Sequence, residues 1–148
     1  MKKSLVIAVL FLIGLNANVM AGSNPACYVK TAEEVYFGHK LKIGLLNTKI
    51  ISEEGKIVKV PNKKVLSYTN GSRLFELLPL ADNKTETPKL VLMEYITSRS
   101  GLKLYCYENN SDRTTVKEYF VFSNGQLHIR IVQSNAANVL SFFGINSI

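Results

Sequence analysis

The sequence predicts an all-β protein: an antiparallel up-and-down meander of about nine or ten strands, curled into a barrel or a sandwich, with a short C-terminal helix. Two observations support this fold class. Short runs rich in Val, Ile, Tyr and Phe recur along the chain and are separated by turn residues, as in strands joined by tight connections. No long stretch has the 3.6-residue apolar spacing of a helix until the last residues.

The chain begins with the pattern of a secretory signal peptide. Lys2 and Lys3 precede an apolar run over 5–15, and Val19-Met20-Ala21 supplies the small residues of a cleavage site. As a helix the apolar run would span roughly 16 Å, about half of a bilayer core, which argues against a membrane anchor. We therefore predict a signal peptide over 1–21, a single β domain over 22–148 without a transmembrane segment, and export to the periplasm or the exterior of a bacterial cell.

The strands are predicted from pairs of apolar runs, each pair separated by a short turn sequence. Asn-Gly between apolar runs is a strong hairpin signal because both residues tolerate a positive φ, and it occurs at Asn70-Gly71 and Asn124-Gly125. Glu53-Glu54-Gly55 and Ser100-Gly101 separate other pairs of runs, and we interpret the alternating segment 41–45 as one strand. The predicted strand segments are 35–37, 41–45, 49–51, 56–60, 64–68, 73–78, 89–97, 102–107, 116–122 and 127–132.

The connections between these runs indicate where a ligand would bind. Successive connections of a meander lie at alternate ends of the sheet, so the tight turns should share one end and the connections 61–63, 81–88 and 108–115 the other. Loops on a rigid scaffold often carry function, although solvated connections without a function are the alternative. The candidate binding residues at this looped end are Lys63, Lys64, Lys84 and Arg113.

The last apolar cluster predicts the helix. Apolar residues between 139 and 143 have helical spacing, Ser134 or Asn135 is a suitable N-cap, and Gly144 is a suitable end. We expect a helix over 136–143 whose apolar stripe packs on the sheet or closes one end of it.

Two cysteines, Cys27 and Cys106, follow the predicted signal peptide. Export would place them in an oxidising compartment, and we therefore predict one disulfide between them. Two free thiols or a redox pair are the alternative, and the absence of a C-x-x-C spacing argues against the redox pair.

The residue types that catalysis and metal binding need are not grouped in the sequence. His39 and His128 have no partner at ligand spacing, and we expect His128 to face solvent. No nucleophile motif, phosphate-binding glycine loop or zinc-protease motif is present. Glu118 would need a partner if its strand face were interior, but we expect the face of Tyr119 and Val121 to point inward. We predict no enzymatic activity, no metal and no cofactor.

The charge of the chain bears on its partners. The formal net charge is +7, but the basic residues are dispersed, whereas nucleic-acid binding usually needs a denser stripe. A soluble basic surface is the interpretation we favour, with attraction to anionic lipid or polysaccharide as the alternative. Tyr105, Tyr107 and Lys103 should share one strand face; such a group can bind sugars or nucleic acid, but it is also ordinary on strands.

Three stretches carry resemblances to two known families. Lys56–Pro79 and the closing Leu140–Gly144 are similar to small exported proteins of gut Bacteroidetes, an uncharacterised group, and this resemblance implies an exported β domain without an assigned function. Ser100–Tyr105 is loosely similar to the Ser-Gly…Tyr signature of periplasmic C-type lysozyme inhibitors, which are small disulfide-bearing β-barrels. The chain departs from those inhibitors because it lacks their downstream tryptophan motif and is basic.

These observations leave three function hypotheses. We favour an exported interaction or accessory protein of the cell envelope, with another envelope protein as its partner. The alternative is a lipocalin-like barrel that binds a small apolar ligand inside, reached from the looped end. An inhibitor of a secreted enzyme is the third.

Overall fold

A computed structural model of the chain describes residues 26–80, 87–111 and 114–146. The predicted signal peptide, 1–21, lies outside the described residues. Within them, antiparallel strands form an eight-stranded sheet and a three-stranded sheet that are not closed into a barrel. The strands are β1 Cys27–Lys30, β2 Val35–Gly38, β3 Lys40–Ile43, β4 Asn47–Ile51, β5 Ile57–Pro61, β6 Ser67–Asn70, β7 Arg73–Leu80, β8 Lys89–Arg99, β9 Leu102–Ser111, β10 Thr114–Ser123 and β11 Gln126–Arg130.

The prediction of an antiparallel all-β fold is confirmed, and of its two alternatives the structure is the sandwich-like one. The large sheet has the order β11-β10-β9-β8-β7-β6-β1-β2, and the small sheet has the order β3-β4-β5. The meander is therefore interrupted: the chain leaves the large sheet after β2, builds the small sheet, and returns at β6.

The chain changes sheets at Gly38 and His39. A Cβ added at Gly38 would lie 2.7 Å from Ile50 Cγ1 and 2.7 Å from the carbonyl oxygen of Ile51, so a side chain does not fit between the two sheets here. The backbone N–H of His39 donates to the Ile51 carbonyl at 2.9 Å. The missing side chain at Gly38 thus lets β2 approach β4 closely enough for the chain to cross.

The tight turns of the large sheet agree with the predicted hairpins, with one shift. Asn124 and Gly125 both have positive φ, 50° and 77°, as a type I′ turn requires, and Ser100-Gly101 has the same pattern. At the β6–β7 hairpin, Asn70 is instead the last paired residue, opposite Arg73. Gly71-Ser72 forms that turn, with only Gly71 at positive φ, the pattern of type II′. These three turns lie at one end of the large sheet, but the fourth tight turn, at Glu54-Gly55, joins β4 to β5 in the small sheet, so the prediction that all the tight turns share one end is only partly right.

Three apolar cores hold the layers together. The first lies between the β1–β2–β6 end of the large sheet and the inner face of the small sheet. The second fills the concave face of strands β7 to β11, which curl until β11 contacts β7. The third lies on the opposite face of β9 to β11, under the helix α1, Ala136–Phe142. Their buried residues are, in order, Cys27, Val29, Leu41, Ile50, Val60, Val65 and Tyr68; Leu78, Val91, Met93, Tyr105, Phe120 and Phe122; and Leu104, Val121 and Leu140.

Burial on both faces corrects the expectation that only one face of β10 points inward. Val121 packs under α1, and Phe120 and Phe122 fill the curl on the other side. The partner that Glu118 needs on that face is the Arg130 guanidinium, which donates to its Oε1.

A β-bulge at His128 lets β11 contribute side chains to both the second and the third core. Phe122 pairs with Leu127, but Val121 pairs with Ile129, so His128 is an extra residue in β11. Leu127 consequently packs into the curl and Ile129 packs under the helix.

The predicted C-terminal helix is present, whereas one predicted loop is mostly strand. The predicted helix over 136–143 is present as α1, and Phe143 is its C-cap. The predicted loop 108–115 is largely strand, since β9 extends to Ser111 and β10 starts at Thr114. These polar residues extend the β9–β10 hairpin, with Asn109 opposite Val116.

Candidate functional site

The outer face of the small sheet carries three lysines in one line across the strands. Strand alternation turns Leu41, Ile50 and Val60 inward, where they are buried, and turns their neighbours outward. Opposite residues in the register are Lys42 with Lys49 and Lys49 with Lys59, and all three lysines are exposed. We call Lys42, Lys49 and Lys59 the lysine row.

The lysine row has no counterion in the described part of the chain. No carboxylate oxygen described there lies within 4.0 Å of these ammonium groups, and the ion pairs that form involve other cations. Like charges directly opposite each other on neighbouring strands destabilise a sheet. The row therefore costs folding stability while presenting three adjacent positive charges to an anionic partner.

The β3–β4 hairpin ends in an apolar turn at one end of this face. The Gly44 N–H donates to the Asn47 carbonyl at 3.0 Å, and the two residues between them are Leu45 and Leu46. Their exposed fractions are 95% and 74%. Central turn positions usually carry Gly, Pro, Asn, Asp or Ser, so turn formation does not explain two leucines here. We call Leu45 and Leu46 the leucine tip.

Asn62 fixes the leucine tip in place. Its Nδ2 donates to the carbonyl oxygens of Gly44 at 2.8 Å and Leu45 at 3.1 Å. Its backbone N–H donates to the Leu46 carbonyl at 3.0 Å, and its Oδ1 accepts the Thr48 hydroxyl at 2.9 Å. Four hydrogen bonds to one asparagine hold the exposed leucines on an ordered turn.

Two of the four predicted binding residues lie beside this tip. Lys63 and Lys64 belong to the 3₁₀ turn Asn62–Lys64, directly after the asparagine that holds the leucines, and both are exposed. Lys64 Nζ lies 3.5 Å from Glu33 Oε2. The turn leads into the start of β6, at the end of the large sheet opposite its tight turns. Lys84 and Arg113 lie outside the described residues.

The concave face that a lipocalin-like ligand would need is occupied by side chains. Tyr105, Phe120, Phe122 and Met93 are each at most 2% exposed there. The Tyr105 hydroxyl donates to Glu76 Oε2 at 2.5 Å, and burial together with this hydrogen bond raises the pKa of Tyr105. Tyr105 is thus a satisfied core residue, in line with the ordinary interpretation of these tyrosines.

The predicted disulfide is wrong for this structure, because Cys27 and Cys106 are both free and buried. They lie on β1 and β9, four strands apart in the order β1-β6-β7-β8-β9, which corresponds to about 19 Å across a sheet. A disulfide needs Cα atoms within about 7 Å of each other. A shared oxidising compartment does not bring two cysteines together when their strands are not neighbours in the sheet.

Both thiols are in surroundings that favour the neutral form. Burial raises the pKa of Cys27, whose Sγ donates to the Gly38 carbonyl at 3.2 Å. Burial also raises the pKa of Cys106, and the nearby Tyr119 hydroxyl offsets this only in part. Cys106 lines a groove of about 180 Å³ together with Glu94, a carboxylate already paired with an arginine. A neutral thiol beside a paired carboxylate is a poor nucleophilic site.

Within the described residues, neither histidine belongs to a catalytic or metal-binding cluster. His128 is exposed on the bulge, as predicted, and His39 Nδ1 lies 3.2 Å from the Ser52 carbonyl oxygen. In the described ranges, no group of three or more His, Cys, Asp or Glu side chains is arranged to hold a metal ion.

Sequence reasoning missed the lysine row and the leucine tip. The alternation Lys40-Leu41-Lys42 and the triplets Thr48-Lys49-Ile50 and Val58-Lys59-Val60 place each lysine outward, but only strand register puts the three in line. The available signal was a single lysine flanked by apolar residues or threonine on three successive runs. Gly44 before the leucines was the signal for a turn.

Comparison with known proteins adds no relative: no family model, no curated protein and no solved structure matches the chain. No helix in the described part of the chain is long and apolar enough to cross a membrane.

Proposed function

We propose that this chain is an exported, non-catalytic binding protein of the cell envelope that attaches to an anionic surface through the lysine row. The observation that carries the proposal is the register that places Lys42, Lys49 and Lys59 in direct opposition, with no carboxylate of the described residues paired to them. A folded chain gains nothing from this arrangement internally, whereas an anionic surface would neutralise all three charges at once.

The residue type fits a surface better than a single small anion. Lysine carries a compact, strongly hydrated charge on a flexible stem and interacts as a point charge, whereas arginine binds one carboxylate or phosphate in a fixed bidentate geometry. The three charges stand side by side on the exposed outer face of the small sheet. This chemistry favours an extended array of anions over a deep, specific pocket.

The filled concave face gives the small-ligand alternative less support than the lysine row gives to surface binding. Unlike a ligand cavity, the row needs no opening of the core. The cleft between Leu102, Val121 and Ile129 and the helix measures about 260 Å³, and among its described lining residues Asn138 is the single polar one and none is charged.

The test compares two triple variants of equal charge on an anionic resin such as phosphocellulose. One variant neutralises the lysine row, with Lys42, Lys49 and Lys59 each changed to Gln. The control changes Lys30, Lys89 and Lys103 to Gln, which are three exposed lysines of the large sheet. We expect the row variant to elute at clearly lower salt than the control. Equal elution would refute the proposal, because retention would then depend on net charge alone.

A further inference from the structure

We propose that the anionic surface is a phospholipid bilayer and that the leucine tip inserts into it, with the lysine row at the headgroups. This inference rests on the proposed function and names its partner. Its starting point is that Leu45 and Leu46 are the apolar end of the same hairpin that carries Lys42 and Lys49.

The spacing between the tip and the row matches the layers of a bilayer surface. In the hairpin, the pair Lys42–Lys49 is followed by the pair Ile43–Thr48 and then by the turn Gly44–Asn47. At about 3.3 Å per residue the lysines lie roughly 7 Å behind the start of the turn. Interfacial segments bury their apolar side chains about 5–10 Å into the boundary between headgroups and acyl chains. Leucines at that depth would leave the lysine ammonium groups among the lipid phosphates.

Other charged residues near the hairpin also place positive charge on the side of the leucine tip. Lys63 is exposed directly after Asn62, the residue that holds the tip, and it adds a positive charge on the tip side. The acidic residues of the small sheet, Glu53 and Glu54, lie in the β4–β5 turn at the opposite end of the hairpin. An anionic bilayer would thus meet lysines around the leucines; the Glu33 carboxylate on this side is paired with Lys64, and Glu53 and Glu54 lie at the far end.

The leucines distinguish a bilayer from other anionic partners. An acidic polysaccharide would neutralise the lysines but would give two exposed leucines no apolar environment. Insertion would bury them, and because Asn62 already holds the turn, little conformational entropy would be lost on binding. The apolar and basic elements of the hairpin are both used only if the partner has an anionic surface over an apolar layer.

The chain contains no tryptophan, so one introduced at the tip is an isolated reporter. In the Leu45→Trp variant we expect a blue-shifted emission with vesicles of phosphatidylglycerol and phosphatidylethanolamine, quenching when the acyl chains are brominated, and no change with phosphatidylcholine vesicles. The intact mass of each preparation first establishes whether residues 1–21 are present, since an uncleaved leader would bind vesicles itself. An unshifted emission in the presence of bound anionic vesicles would overturn insertion.

Sedimentation with the same vesicles measures the contribution of the leucines. Changing Leu45 and Leu46 to Ser should weaken binding to anionic vesicles at least tenfold, on the order of what loss of one buried leucine gives. Changing Leu90 and Val116, which are 58% and 50% exposed on the large sheet, to Ser should leave binding unchanged. Equal binding by both double variants would overturn the inference.

The resin experiment separates the two proposals. If the protein ignores the vesicles but still requires the lysine row for retention on phosphocellulose, the bilayer inference fails and the proposed function stands, with a polysaccharide or an acidic protein as the partner. If the row variant and its control behave alike on the resin, the proposed function fails as well.

Discussion

The lysine row should make one surface substitution stabilising. Lys49 is the middle lysine and lies opposite both Lys42 and Lys59, so Lys49→Glu turns two repulsive cross-strand pairs into two attractive ones. At about 0.3 kcal/mol for each repulsion removed and each attraction gained, the two pairs together raise the free energy of unfolding by about 1 kcal/mol. For a chain of 148 residues this corresponds to a rise in Tm of about 3 °C.

The control is Lys30→Glu, which makes the same change in charge on an exposed strand position. Lys30 lies opposite Val35 and Ser67, so the substitution gains no cross-strand ion pair. Urea unfolding of the three proteins at low ionic strength measures the difference, and repeating it at 1 M salt should remove most of the gain because the Debye length falls to about 3 Å. A loss of stability in Lys49→Glu, or an equal gain in Lys30→Glu, would refute the reasoning from register.

Three further predictions concern the fold. Gly38→Ala should lower the free energy of unfolding by about 1–3 kcal/mol in urea titrations, because its Cβ would lie 2.7 Å from a backbone carbonyl oxygen of β4; an unchanged midpoint would contradict the close approach of the two sheets. Cys27 and Cys106 should both react with a thiol reagent in denaturant without reductant and only slowly in the native protein; failure to label the denatured chain would restore the disulfide. An arginine hydrogen bond lowers the pKa of Glu94, so the pair contributes fully above the unfolded-state pKa of about 4.3 and the contribution is lost as the pH falls through the folded-state pKa. Between pH 6 and pH 3, wild type should therefore lose about 0.5–1 kcal/mol more stability than Glu94→Gln, and parallel losses would show that the pair contributes nothing.

The turns and the helix, which depend mainly on neighbouring residues, were predicted from short stretches of sequence. Asn124-Gly125 predicted its turn because few residues other than Asn and Gly tolerate two consecutive positive φ angles. The helix was predicted because apolar spacing changed and Gly144 follows it. The turn at Gly71 shifted by one residue because a type II′ turn needs glycine only at its first central position.

These local signals did not predict which distant strands pair with each other. The runs on either side of His39 look alike in sequence, yet one belongs to the large sheet and the next to the small sheet, because the approach of β4 to Gly38 decides the crossing. Strict alternation likewise failed at His128, where a bulge turns Leu127 and Ile129 toward different cores. Polar residues such as Asn109 were interpreted as a loop because their strand propensity is low, but their partners on β10 keep them in the sheet.

The candidate site was predicted only in part for the same reason. Lys63 and Lys64 were selected because their connection was expected at the looped end, and they form the 3₁₀ turn that begins at Asn62. The lysine row needed the register of three strands, and the leucine tip was hidden because Leu45 continued the alternation of Leu41 and Ile43. Because β3 ends at Ile43, Leu45 does not occupy the core position that the alternation predicts. It is instead the most exposed leucine of the hairpin.

The most direct test of the binding surface is a lysine footprint. The purified protein is acetylated briefly with and without anionic vesicles, and mass spectrometry measures the modification of each lysine. We expect Lys42, Lys49 and Lys59 to become protected while Lys103, beside the tight turn at the other end of the large sheet, reacts as before. Protection of Lys103 with an unchanged lysine row would contradict binding through the row.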